Sequence, residues 1–218
     1  MEADLQSISF SVEAPYYTYG SLNADTEAIW IVCHGLGQQA KYFMRRFDSL
    51  SPKTHFLIAP QGLSRYYMHD KYEKVGASWM TREFREMEIQ NQGEYLDEII
   101  RKELGSEPWG KYRFHLMGFS QGVATISRWA VSRKIPFFQL ILWAGGFPHE
   151  ITEDLTPQLS ANAEVWTVVG NEDPFLTEER METELKRLNE IFGNHVKYHL
   201  FEGKHEVQRE VLQTLFFP

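Results

Sequence analysis

Residues 112–126 read YRFHLMGFSQGVATI. Residues 112–117 form a strand-like run, a helix-like run starts at Gln121, and between them Gly118 and Gly122 bracket Ser120. A chain that turns from strand to helix this sharply needs small flanking residues so that the two elements can approach, and it holds the apical residue in a strained conformation that exposes its side chain. The unpaired N–H groups and the dipole at the start of the following helix favour negative charge beside the serine. Five residues of this pattern also arise by chance in loops, and it is the strand before and the helix after that make Ser120 the candidate nucleophile.

Outward from this turn, strand-sized apolar runs fall at residues 28–33, 55–59, 113–117, 140–144, 165–169 and 196–201. Most are continuously apolar, as strands covered on both faces are. Helix-like segments at 40–50, 86–104, 121–132, 177–192 and 206–216 separate them. The alternation predicts an α/β fold with a mostly parallel central sheet and helices on both faces. Residues 6–13 and 16–19 read as a further hairpin at one sheet edge. No repeat, low-complexity tract or linker interrupts the chain, which predicts one domain over residues 1–218. The 17-residue stretch 147–163, between two of the predicted strands, is too short for a separate cap domain, so the site is expected to be open.

Composition narrows the class. With 43% hydrophobic and 14% aromatic residues the chain can bury a large core, unlike a disordered or fibrous one. The net charge of −8, with no long basic run, argues against nucleic acid as a partner. A lone cysteine, Cys33, rules out an intrachain disulfide and a cysteine-based zinc site, and suits a reducing compartment. Cys33 ends a predicted strand and reads as a small core residue rather than a second nucleophile. The acidic N-terminus, MEADLQSISFSVEAP, lacks the apolar core of a signal peptide, and no stretch approaches the ~20 apolar residues that span a bilayer. These features predict a soluble, cytoplasmic protein without integral membrane association.

A serine hydroxyl is a poor nucleophile near neutral pH and needs a base, usually an imidazole oriented by a carboxylate. In strand–turn–helix serine enzymes the chain order is serine, acid, histidine. Asp173 follows the run 165–169 in VGNEDPF, with Pro174 stiffening the turn; Asp154 and Glu172 are the competing carboxylates. Four histidines follow Ser120, namely His149, His195, His199 and His205. His195 and His199 flank or enter one predicted strand, where a rise of ~3.3 Å per residue puts them ~13 Å apart, too far to share a metal. His205 follows the last strand in FEGKHEV, the place the order requires for the base. For the oxyanion, one donor is expected at the N–H of Gln121 and another in an earlier strand-to-helix loop. His34–Gly37, HGLG, is that loop, and Leu36 is the candidate second donor. The long segment 61–85, rich in tyrosine, methionine and tryptophan, is expected to wall the substrate site. Trp79 and Met80, with Phe119 and Phe175 beside the turns, are the candidate pocket side chains.

Taken together, HGLG, GFSQG, the Gly170-x-x-Asp173-Pro174 arrangement, His205 after a late glycine, and Trp79 after Ser78 resemble the small carboxylesterases and acyl-protein thioesterases of the α/β-hydrolase fold, the phospholipase/carboxylesterase family. The similarity covers nearly the whole chain. It departs from the family's usual residues at Gln38, at Val123 and at Met80-Thr81, all bordering the expected pocket. The resemblance implies a serine hydrolase with no metal or organic cofactor, acting on small-molecule or acylated esters or thioesters. It assigns Ser120 as nucleophile, His205 as base and Asp173 as its orienter, with Leu36 and Gln121 as backbone donors. Two alternatives stand beside it: an acyltransferase or perhydrolase using the same three residues, and a non-catalytic α/β-hydrolase-like binding protein.

Overall fold

The computed structural model describes residues 4–69, 71–105, 109–155 and 159–217. Its centre is a seven-stranded sheet in the order β1-β3-β2-β6-β7-β8-β9. The strands are β1 (Tyr16–Tyr19), β2 (Ala28–Cys33), β3 (His55–Pro60), β6 (Arg113–Phe119), β7 (Gln139–Trp143), β8 (Glu164–Gly170) and β9 (Val196–Phe201). All neighbours pair in parallel except β1, which runs antiparallel to β3. A separate two-stranded hairpin, β4 (Ser64–Tyr67) with β5 (Val75–Ser78), projects from the connection after β3.

The sheet is covered on both faces, which accounts for its unbroken apolar strands. Along β2, Ile29, Ile31 and Cys33 join one buried cluster, whereas Trp30 and Val32 join the other. On the first face the sheet packs beneath α2 (Arg85–Leu104) and α3 (Gln121–Ser132), through Leu96, Ile99, Ile126 and Trp129. On the second face lie α1 (Ala40–Phe43), through Ala40 and Phe43, and α5 (Arg209–Phe216), through Leu212 and Phe216. Between β8 and β9 runs α4 (Glu178–Phe192), capped by the Thr177 hydroxyl, which accepts from Arg180 N–H. No helix among the described residues is long and apolar enough to cross a membrane.

Three expectations need correction. Residues 6–13 form no strand; their apolar side chains Ile8, Phe10 and Val12 stand exposed, and β1 pairs with β3 instead of with them. The Tyr95 hydroxyl donates to the Pro15 carbonyl, so the connection that a hairpin would need is tied down toward α2. The predicted helix 40–50 is a four-residue helix that tightens into a 3₁₀ turn, Met44–Phe47. The irregular stretch after β3 contains the β4–β5 hairpin, hidden because none of the β4 side chains is buried. Between β7 and β8 the described residues hold only a short 3₁₀ turn, Glu153–Leu155.

Candidate active site

The turn after β6 shows why two glycines bracket the serine. Ser120 has φ 53° and ψ −118°, a left-handed conformation that a side-chain-bearing residue adopts only under strain. A Cβ at Gly118 would lie 2.4 Å from backbone atoms of Gly122 and Val123, and one at Gly122 would lie 2.2 Å from the Cys33 carbonyl oxygen. Neither position admits alanine without moving backbone, so the glycines let α3 leave β6 at close range. The serine hydroxyl is thereby held at the carboxyl end of the sheet, where parallel α/β sheets bind their ligands.

Two further strand ends bring their residues to this hydroxyl. The Asp173 carboxylate, fully buried, places Oδ2 2.7 Å from His205 Nδ1, and His205 Nε2 lies 2.9 Å from Ser120 Oγ. Asp173 Oδ1 accepts the Phe175 N–H at 2.9 Å, which fixes the carboxylate plane. The loops carrying the acid and the histidine are joined to each other. Glu172 N–H donates to the Gly203 carbonyl, Gly203 N–H donates to Asn171 Oδ1, and a Cβ at Gly170 would collide with the Gly203 carbonyl oxygen at 2.3 Å. Asp173 and His205 are thus positioned as a unit. Glu172, Asp154, His149 and His199 make no hydrogen bond to Ser120 or His205 among the described residues, and the ring of His195 is engaged by the Ala163 carbonyl.

The glycine loop lies against the serine: a Cβ at Gly35 would stand 3.3 Å from Ser120 Cβ. The N–H groups of Leu36 and Gln121 make no hydrogen bond among the described residues, whereas Gly35 N–H donates to Gln38 Oε1 and Gly37 N–H to the Ala77 carbonyl. Beneath the loop lies His34, fully buried. Gly62 N–H donates to its Nε2 at 3.0 Å, so Nδ1 carries the proton given to the Gly35 carbonyl, and burial pushes the pKa down to about 4. His34 is therefore a neutral staple for the loop. Cys33 is also fully buried, and burial pushes its thiol pKa up, as suits a core residue.

The expected pocket side chains divide. Phe119 and Phe175 flank the His205 ring, at centroid distances of 5.0 and 4.8 Å; Phe119 is buried and Phe175 is 61% exposed. Met80 is half-buried, and its carbonyl accepts from Ser78 Oγ and from Gln121 Nε2. Trp79 does not wall a cleft. It is 1% exposed, its Nε1–H donates to the His34 carbonyl at 2.7 Å, and its ring packs on that of His34. The side chain of Gln121, which sequence reading passed over in favour of its backbone, holds this segment against the turn by accepting the Trp79 N–H at 2.9 Å. Only the position of a glutamine beside the serine could have pointed to it.

Trp79→Ala is accordingly expected to act on stability. It removes a fully buried ring and leaves the buried His34 carbonyl without its donor, so unfolding in urea should show a loss of about 3–5 kcal/mol. Ester turnover should fall to a similar degree for short and long acyl chains. A stability loss under 1 kcal/mol, or a loss confined to long acyl chains, would return Trp79 to the pocket.

A profile of the phospholipase/carboxylesterase family matches residues 21–216. Among solved structures, the chain is similar to acyl-protein thioesterase 2 from Zea mays, with 14% identity over 93% of this chain and 96% of that one and a TM-score of 0.69. It is similar to esterase PE8, with 16% identity, the same coverage and a TM-score of 0.71. A carboxylesterase from Mesorhizobium loti is 14% identical over 92% of this chain and 93% of its own, with a TM-score of 0.68. At such identities the likeness is one of fold. No curated protein matches the sequence.

Proposed function

The chain belongs to the phospholipase/carboxylesterase family of α/β-hydrolases, and from that premise we propose that it hydrolyses carboxylic esters or thioesters through an acyl-serine intermediate, with Ser120, His205 and Asp173 as the catalytic residues. The observation that carries this reading is the unbroken series Asp173 Oδ2, His205 Nδ1, His205 Nε2, Ser120 Oγ, at 2.7 and 2.9 Å, with the N–H groups of Leu36 and Gln121 left without a hydrogen bond among the described residues.

In this reading Ser120 Oγ attacks the substrate carbonyl carbon while His205 Nε2 takes the hydroxyl proton. Buried Asp173 holds the other proton on Nδ1 and stabilises the imidazolium that forms. The carbonyl oxygen becomes an oxyanion, received by the N–H groups of Leu36 and Gln121 and favoured by the start of α3. The tetrahedral species collapses, the bond to the alcohol or thiol breaks, and the leaving group takes the proton from His205. Water then repeats the cycle at the acyl-serine and releases the acid. Esters and thioesters pass through the same acyl-serine, so the reading covers both. The continuous sheet supports treating residues 1–218 as one domain, and the single, buried Cys33 fits a cytoplasmic location.

The test is to follow 4-nitrophenyl acetate turnover within the first cycle. A burst of nitrophenol approaching one equivalent, with an acetyl mass on acid-quenched protein that maps to Ser120, is the expected result if deacylation is the slower step. Acetyl carried only by another residue, or no turnover of any ester or thioester by folded protein, would overturn the proposal.

A further inference from the structure

Beside the glycine loop opens a cleft of about 460 Å³. Gly37, Phe43, Arg46 and Met68 line it together with Glu73 and Lys74. It adjoins the candidate active site in two ways. Gly37 directly follows Leu36, and the Phe43 ring stacks on Phe119 at 6.3 Å, whose own ring packs on His205. A group seated in the cleft therefore lies next to the loop that would receive the oxyanion.

The charge in this cleft is not balanced from within. Arg46 is half-buried, and its Nε–H donates to the Val207 carbonyl at 3.3 Å. Its two terminal nitrogens, which form the fork that grips carboxylates, have no hydrogen-bond or ion-pair partner among the described residues. Its Coulombic neighbours do not supply one: Arg209 is itself positive and paired to Asp48 at 2.9 Å, and Glu206 makes no ion pair with Arg46. Burial first, and Arg209 second, lower the Arg46 pKa, with Glu206 offsetting them in part. Glu73 and Lys74 are both exposed and opposite in sign, so Arg46 sets the polarity. A partly desolvated cation without an ion-pair partner is costly until an anion completes it.

We infer that Arg46 forms an anion subsite, and that the preferred substrates are esters carrying a carboxylate placed to reach this cleft. The inference rests on the esterase reading above and adds a substrate class to it. Two pairs of substrates test it: mono-4-nitrophenyl adipate against 4-nitrophenyl hexanoate, with the charge on the acyl side, and the butyrate ester of 4-hydroxybenzoate against phenyl butyrate, with the charge on the leaving group.

The carboxylate member of at least one pair should show the higher kcat/KM, by about tenfold, the scale of one charge-assisted contact. Arg46→Gln should remove that preference and Arg46→Lys should keep part of it. Ratios near one in both pairs, a preference that survives Arg46→Gln, or an equal fall for both members of each pair would overturn the inference. The last outcome would mean that Arg46 acts only by holding Val207 near His205. Failure of the esterase reading is recognised separately, as no turnover of any of the four esters. In that event calorimetric titration of adipate into the full chain decides: saturable binding lost in Arg46→Gln upholds the anion subsite, and no saturable binding by the unmodified chain removes it.

Discussion

Replacing Ser120 by alanine should lower kcat/KM for 4-nitrophenyl esters by about 10⁴- to 10⁶-fold, the range found when the nucleophile of a serine hydrolase is removed. The residual rate comes from binding and from the oxyanion donors, which the substitution leaves in place. The fold should survive. Among the described residues Ser120 Oγ makes one hydrogen bond, to His205, and the packing of the turn depends on Gly118 and Gly122 rather than on the hydroxyl. Far-ultraviolet circular dichroism and the urea midpoint check that premise alongside the kinetics. A folded variant with more than a tenth of the original activity would mean that the reaction does not pass through Ser120.

Asp173→Asn should be the next most damaging change, at about 10⁴-fold in kcat, because the buried carboxylate fixes the tautomer of the base. The local geometry makes the outcome specific. Phe175 N–H donates to Oδ1, so the amide oxygen of an introduced asparagine would take that place and its NH₂ would face His205 Nδ1. The imidazole must then accept at Nδ1 and carry its proton on Nε2, where it can no longer receive the serine proton. Steady-state kinetics at a pH well above the histidine range would show the loss, with KM little affected. A loss of less than tenfold would point to Glu172 or Asp154 as the true orienter.

Much of the core was legible because burial on both faces writes itself into sequence as unbroken apolar runs. Ala28–Cys33 and Val196–Phe201 coincide with predicted strands, and the other four predicted strands of the parallel sheet differ only at their ends. Ser120, Asp173 and His205 could be chosen because each follows a strand and a nearby glycine, features that belong to the chain and not to its packing. What escaped depends on partners distant in sequence. The alternation of Ile8, Phe10 and Val12 resembles a strand, but β1 pairs with β3 instead. Trp79 looked like a pocket residue by its neighbours, yet His34, 45 residues earlier, gives it a buried hydrogen bond and a packing surface. The fork of Arg46 is conspicuous only once Val207, 161 residues away, is seen to use its Nε alone.

The expected identity of the nucleophile is most directly tested by treating the folded protein with a fluorophosphonate and mapping the adduct by peptide mass spectrometry. An activated serine is required for this reaction, so a single phosphonyl group on Ser120, formed in step with loss of esterase activity and absent from Ser120→Ala, is the predicted result. Complete loss of activity with the label on another residue, or undiminished ester hydrolysis after Ser120 is fully labelled, would contradict it.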